Sequence, residues 1–270
     1  MDAKAYIQQE LTAGRLTCAH IETLTRAWQS GHGLHLDGKP GPDTRTSLEA
    51  AATVHTGDDD DEGPRIGIDV SRHQGAIDWG AVGASTSPKI AFAWIKASTG
   101  VNAPQPRFAT NARGARAAGI PWGGYHWATP APGDAVAEAR DFAKRVQAVA
   151  PCTPSIPCAL DLEEVSSLRG AALGQWVQAW LDEVEHLLGR RPWVYTGPWY
   201  IHGYLRREGV AVLKNEALWV ADYAGAVNDT FGWRWKVRQY TSAGRVPGIT
   251  GKVDMNRFEA MGDWPGFVRG

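Results

Sequence analysis

The stretch "CALDLEEV", residues 158–165, sets Asp161 and Glu163 two positions apart in an apolar run. A carboxylate buried without a partner is costly, so a pair in this setting needs a chemical reason. Alternation along a strand puts Cys158, Leu160 and Leu162 on one face and Ala159, Asp161 and Glu163 on the other. "RIGIDV" repeats the pattern, with Ile66, Ile68 and Val70 opposite Gly67 and Asp69, and "KVDMN" sets Asp254 opposite Val253 and Met255. The apolar faces suit packing against helices, so three strands would deliver four carboxylates to the inside of one sheet. Such a cluster has three uses: holding a hard divalent cation, salt-bridging to an inward Lys96 or Arg238, or cleaving a glycosidic bond. Like charges crowded in a dry pocket raise at least one pKa, which supplies a general acid near neutral pH.

The elements that must position these acids are legible in outline. Strand patterns occupy residues 65–70, 90–98, 121–128, 158–163, 192–197, 218–224, 236–241 and 252–258. Helical patterns separate the first six, the clearest at 170–189, where Val177, Trp180, Leu181, Val184, Leu187 and Leu188 form one stripe. The last three strands follow too closely for full helices. This order predicts an α/β fold, an irregular TIM-like β/α barrel with its active site at the C-terminal ends of the strands.

Residues 53–64, spanning "TGDDDDEGP", cannot pack a core and are expected to form an acidic linker. They divide the barrel, 65–270, from a small all-α unit at 1–52. There, "AHIETLTRAWQSG" places Ile21, Leu24 and Trp28 at helical spacing, and Asp43 or Thr44 is placed to cap a further helix.

Composition narrows the function classes. The 270 residues carry a formal net charge of −1, so no basic excess points to nucleic acid or an anionic membrane. Tryptophan is abundant at 13, which leans towards stacking on sugar rings, although a large core uses tryptophan too. Cys18, Cys152 and Cys158 form no metal-ligand spacing; a Cys152–Cys158 bridge is conceivable, with reduced thiols the default. No run approaches the ~18 apolar residues of a membrane span.

The stretches "GIDVSRHQGAIDW", "FAWIKASTG", "GGYHWA", "ALDLE", "WVYTG", "LWVADY" and "RQYTSAGRVPGITGKVDMNRF" resemble, in order, the glycoside hydrolase family 25 muramidases, lysozymes that cut peptidoglycan. The resemblance spans almost all of residues 65–260. It implies Glu163 as the general acid. Asp161 would orient and stabilise a participating N-acetyl group or act directly on the anomeric carbon. Asp69 would be a base or electrostatic stabiliser, and Asp254 the acid near the last strand. It also implies sugar contacts by Tyr125, Tyr195, Trp219, Tyr223 and Gln239. Arg238 departs from the family, which commonly has Trp there. His126 falls opposite Tyr125 and is expected to be a hydrogen-bonded structural residue. In the first unit, Asp37, Gly38, Gly41, Pro42 and Thr44 resemble a three-helix peptidoglycan-binding domain, with Pro40 replacing its usual aromatic.

Two rivals weaken on the residues. A family 18-type chitinase needs Asp-x-x-Asp-x-Asp-x-Glu, and Ile156 and Ala159 stand where its first two acids belong. A binding-only wall protein would not require four retained acids. The expectation is therefore a peptidoglycan hydrolase acting as a monomer, with no cofactor or metal and no membrane insertion. The start, "MDAKAYIQQELTAGRL", lacks a basic segment followed by an apolar one. That suggests synthesis in a cytoplasm and release by another route, as for a phage endolysin or, second, a secreted effector.

Overall fold

The computed structural model describes residues 64–149, 154–225, 229–259 and 264–268, which belong to the unit Pro64–Gly270. The expected helical unit, the acidic linker through residue 63, Cys18 and Cys152 lie outside the described residues.

Nine strands form one sheet: β1 (Arg65–Val70), β2 (Ile90–Thr99), β3 (Ala103–Pro104), β4 (Trp122–Trp127), β5 (Ala159–Asp161), β6 (Trp193–Thr196), β7 (Leu218–Ala221), β8 (Trp235–Gly244) and β9 (Val253–Phe258). The order is β1-β9-β8-β7-β6-β5-β4-β2-β3, and a further β1–β2 pairing closes eight of them into a barrel. Seven of the eight run parallel, and β9 is antiparallel to both neighbours, β8 and β1. This reversal is the irregularity that the short spacing between the last strands implies. The two-residue β3, which folds back on the end of β2, has no signal in the sequence pattern.

Helices cover the outside: α1 (Trp79–Ala84), α2 (Phe108–Ala117), α3 (Ala135–Val149), α4 (Gly170–Leu188) and α5 (Arg206–Leu213). Asp78 caps α1 by accepting from the Ala81 amide at 3.1 Å. α4 buries Leu173, Trp176, Val177, Trp180, Leu181 and Val184 along one stripe and stops at Gly189, whose φ of 75° is left-handed. Between β6 and α5 the chain winds as a π-helix over Ile201–Leu205. A last short helix, α6 (Trp264–Val268), follows β9.

The alternation of β1, β5 and β9 sorts the core into two layers. Ile68, Val70, Leu160, Val194, Val220, Val253 and Met255 pack outward with helical residues. Phe92, Trp94, Ala159, Trp193, Trp219 and Phe258 fill the interior, joined by Phe267 of α6. Trp94 stacks on Trp219 with ring centroids 4.1 Å apart and planes 15° apart, and its indole N–H donates to Pro157 O at 2.8 Å. On the outer face of β4, His126 is fully buried between Ser98 Oγ and Glu138 Oε2, each 2.8 Å from a ring nitrogen. Glu138 also accepts from the Thr129 amide, which ties α3 to the loop leaving β4. His126 is thus built into the packing and faces away from the acids.

Gly67 shows how tightly the interior is filled, because a Cβ there would lie 2.3 Å from the Phe92 ring, itself fully buried. The ring has no free volume to retreat into. Gly67→Ala is expected to destabilise the fold by about 1–3 kcal/mol through overpacking. Chemical denaturation measures this, and an unchanged midpoint would refute the account.

Candidate active site

Each acid reaches the barrel mouth by a separate element. Asp69 sits next to last on β1, and Asp161 is the last residue of β5. β5 ends sooner than its sequence pattern, so Glu163 lies two residues past the strand and is only half-buried, while Asp161 is 4% exposed. Asp254 stands second on β9. Because β9 runs backwards, its first residues meet the last residues of β1, and Asp69 pairs in register with Asp254.

Asp69 is held by a chain of side-chain amides. The Tyr195 and Tyr223 hydroxyls donate to Gln239 Oε1 at 2.9 and 2.6 Å, which leaves Gln239 Nε2 to donate to Asp69 Oδ2 at 2.8 Å. From the other side, the Trp219 indole donates to Asn256 Oδ1 at 2.7 Å, and Asn256 Nδ2 donates to the same Asp69 oxygen at 2.9 Å. Both amides are therefore fixed in orientation by donors behind them.

Burial dominates the electrostatics. It pushes the Asp69 pKa up to about 8, with the Asp254 charge adding to the rise and the Asn256 and Gln239 donors opposing it. Asp161 is raised well above the usual carboxylate range by burial and then by Glu163, while Lys96 pulls it down. Glu163 is raised by burial, against Lys96 and with a further rise from Asp254. Asp254 is raised by burial, opposed by its own backbone amide and by His73. All four acids are raised, so the group holds protons to higher pH than free carboxyls do. Asp161 Oδ1 is buried with no hydrogen-bond partner.

Lys96, inward on β2, supplies the cation that faces this group. Its Nζ lies 4.1 Å from the centroid of Trp127 and 5.9 Å from that of Tyr125. Burial lowers its pKa, and Asp161 is the strongest influence opposing that fall. Arg238, the other expected neutraliser, faces the opposite way: Gln239 takes the inward position, and Arg238 lies 3.6 Å from Asp222 on the outer side. Among the described residues no three His, Cys, Asp or Glu side chains are placed to share a metal ion.

The expected sugar-contacting residues separate into two sets. Tyr125, Tyr195 and Gln239 are buried in the floor beside the acids, and Tyr223 is 57% exposed at the rim. Trp219 is corrected: at 1% exposure, with its face on Trp94 and its N–H on Asn256, it has no surface left for a sugar. Sequence reasoning missed Asn256, although the same alternation that turns Asp254 inward also turns Asn256 inward. It missed Trp127 for the same reason, two residues beyond inward Tyr125. It also missed Trp199, 54% exposed after β6, for which no periodic signal exists. Among the described residues, the exposed large apolar side chains are Val101, Val165, Trp199 and Tyr223. Each follows the C-terminal end of a parallel strand, so the apolar surface collects around the acids' end of the barrel.

The raised pKa of Asp161 has a measurable consequence. Its ionisation costs more in the folded than in the unfolded chain, so stability is lost as pH rises from the unfolded carboxylate range, near 4, towards the raised folded value. Asp161→Asn removes that loss. Its melting temperature is expected to exceed the wild-type value by more at pH 7 than at pH 4, and a pH-independent difference would contradict the burial argument.

Three comparisons bear on the larger part of the chain. The family model described as glycosyl hydrolases family 25 matches residues 68–249. An uncharacterized Escherichia coli protein, YegX, is 34% identical over 76% of this chain and 73% of its own, and Lysozyme M1 of Streptomyces globisporus is 32% identical over 71% and 67%. A bacterial lysozyme from Streptomyces coelicolor, solved as a crystal structure, superposes with a TM-score of 0.61 at 28% identity. It covers 73% of this chain and 93% of its own.

Proposed function

The chain belongs to glycosyl hydrolases family 25 and is a peptidoglycan-hydrolysing muramidase of the lysozyme type, and we propose that Glu163 is its general acid. The observation that carries this role is the contrast within one Asp-x-Glu pair. Asp161 is closed off at the strand end, whereas Glu163 is half open to the mouth and has a pKa raised by burial. A carboxyl that is reachable and has a raised pKa holds its proton to higher pH than an ordinary carboxyl and can deliver it to the leaving glycosidic oxygen. Asp161, with its unpartnered Oδ1, is the group suited to the sugar's N-acetyl or anomeric centre. Asp69, gripped by two amide donors, is suited in its ionised form to stabilising positive charge that develops on the ring, and its pKa of about 8 makes that form more abundant as pH rises. Asp254 adds to the field that keeps Glu163 protonated.

Glycan would lie across the rim, where Trp199 and Tyr223 offer exposed rings for stacking. Tyr125, Tyr195 and Gln239 would shape the floor beneath it. A monomer suffices, since all four acids come from one chain. The resemblance of roughly residues 18–52 to a wall-binding module supports a tethering role that would concentrate the barrel on its insoluble substrate.

Digestion of purified peptidoglycan, borohydride reduction and mass spectrometry tests the bond. Reduced muramic acid is the expected product, and reduced glucosamine would mean that the other bond is cut. Glu163→Gln is expected to lower kcat by about 10²–10⁴-fold. Wild-type kcat should fall as pH rises through the raised Glu163 pKa, because the proton to be donated is lost. A Glu163→Gln enzyme of near wild-type rate would remove Glu163 from the role.

A further inference from the structure

A cleft of about 460 Å³ opens beside the acids and is lined by Arg72, His73, Lys96, Thr99, Gln105 and Trp127, with Ala103 and Pro104. None of these eight residues is acidic, and Arg72, His73 and Lys96 are basic. The cleft adjoins the catalytic group directly. Lys96 belongs to both, Arg72 is near enough to lower the Lys96 pKa, and His73 is near enough to lower that of Asp254.

Both walls are fixed by the backbone. On one side, the turn Arg72–Gln74 is closed by a capping box: Ser71 Oγ accepts from the His73 amide at 3.2 Å, and Gln74 Oε1 accepts from the Ser71 amide at 2.9 Å. Gln74 Nε2 also donates to Lys252 O at 3.3 Å, which ties the turn to the segment entering β9. On the other side, β3 pairs with Ser98 and Thr99, and the Gln105 amide donates to Ala97 O at 3.0 Å. Trp127 forms the back, with Lys96 over its ring.

We propose that this cleft binds the carboxylate-bearing stem peptide attached to the muramic acid at the cleaved bond, an inference that rests on the muramidase reading above. Muramic acid carries its peptide through an amide to the lactyl group of the sugar, so the free carboxylates of the peptide arrive on a substituent of the sugar next to the cleaved bond. The four acids repel it, and the Arg72–His73–Lys96 wall attracts it. The indole of Trp127 gives the apolar parts of the peptide a surface to pack on. The cleft therefore makes the enzyme select peptide-bearing over bare glycan.

The test compares kcat/KM on peptide-bearing glycan strands with that on strands stripped by an amidase, which keep only the lactyl carboxylate. Wild-type enzyme is expected to favour the peptide-bearing strands. Arg72→Glu, on an exposed turn, is expected to reduce that preference about tenfold, chiefly through KM. Raising the ionic strength should shrink the wild-type preference in the same direction. A preference unmoved by Arg72→Glu, or an equal loss on both substrates, overturns the proposal. If wild-type enzyme releases no new reducing ends from either substrate, the muramidase reading fails, and this inference fails with it.

Discussion

Four carboxylates held in one buried volume with a single inward lysine are the constraint around which the barrel mouth is organised. Desolvation acts on every one of them, and among the described residues Lys96 is the cation that pulls Asp161 and Glu163 down. The remaining compensation comes from dipoles, and these are concentrated on Asp69. Two amides aim at one of its oxygens, and each amide is fixed by an aromatic hydroxyl or indole behind it. Asp161 and Glu163 receive no such amide donors, and burial raises both pKa values against the pull of Lys96. Even the supported acid is pushed up to about 8 by burial, so the amide donors offset only part of the desolvation of Asp69.

That arrangement explains why so much aromatic mass lies beneath the site. Trp219 is both a packing partner of Trp94 and the donor that orients Asn256, so the tryptophan-rich interior and the electrostatics of the acids share a side chain. An apolar residue of equal volume at position 219 would fill the space and leave Asn256 free to turn. The abundance of tryptophan in the sequence therefore has two causes. Some of it is core that also holds catalytic geometry, and some of it, as at Trp199, is exposed surface at the rim.

Strand alternation made the four acids, the barrel and its irregular end legible before any coordinates, because a period of two assigns every residue of a strand to a face. The same rule, carried two residues further, would have found Asn256 and Trp127. It failed for Arg238, since the expectation followed charge and not parity: Gln239 is the inward residue, and its neighbour must point out. Trp219 lies on the inner face with the acids, but alternation does not tell how deep in a barrel a residue lies. The two-residue β3 and the Arg72–Gln74 turn were out of reach, because elements so short leave no periodic trace.

The reversed last strand ties function to the order of synthesis. Asp69 and Asn256 are separated by 187 positions, nearly the whole barrel, and the hydrogen bond between them exists only once β9 has inserted between β1 and β8. Contacts of such sequence separation carry a large loop-closure entropy, so they come late in folding. A ribosome-bound chain that has already made Asp69, Asp161 and Glu163 still lacks both Asp254 and the amide that supports Asp69.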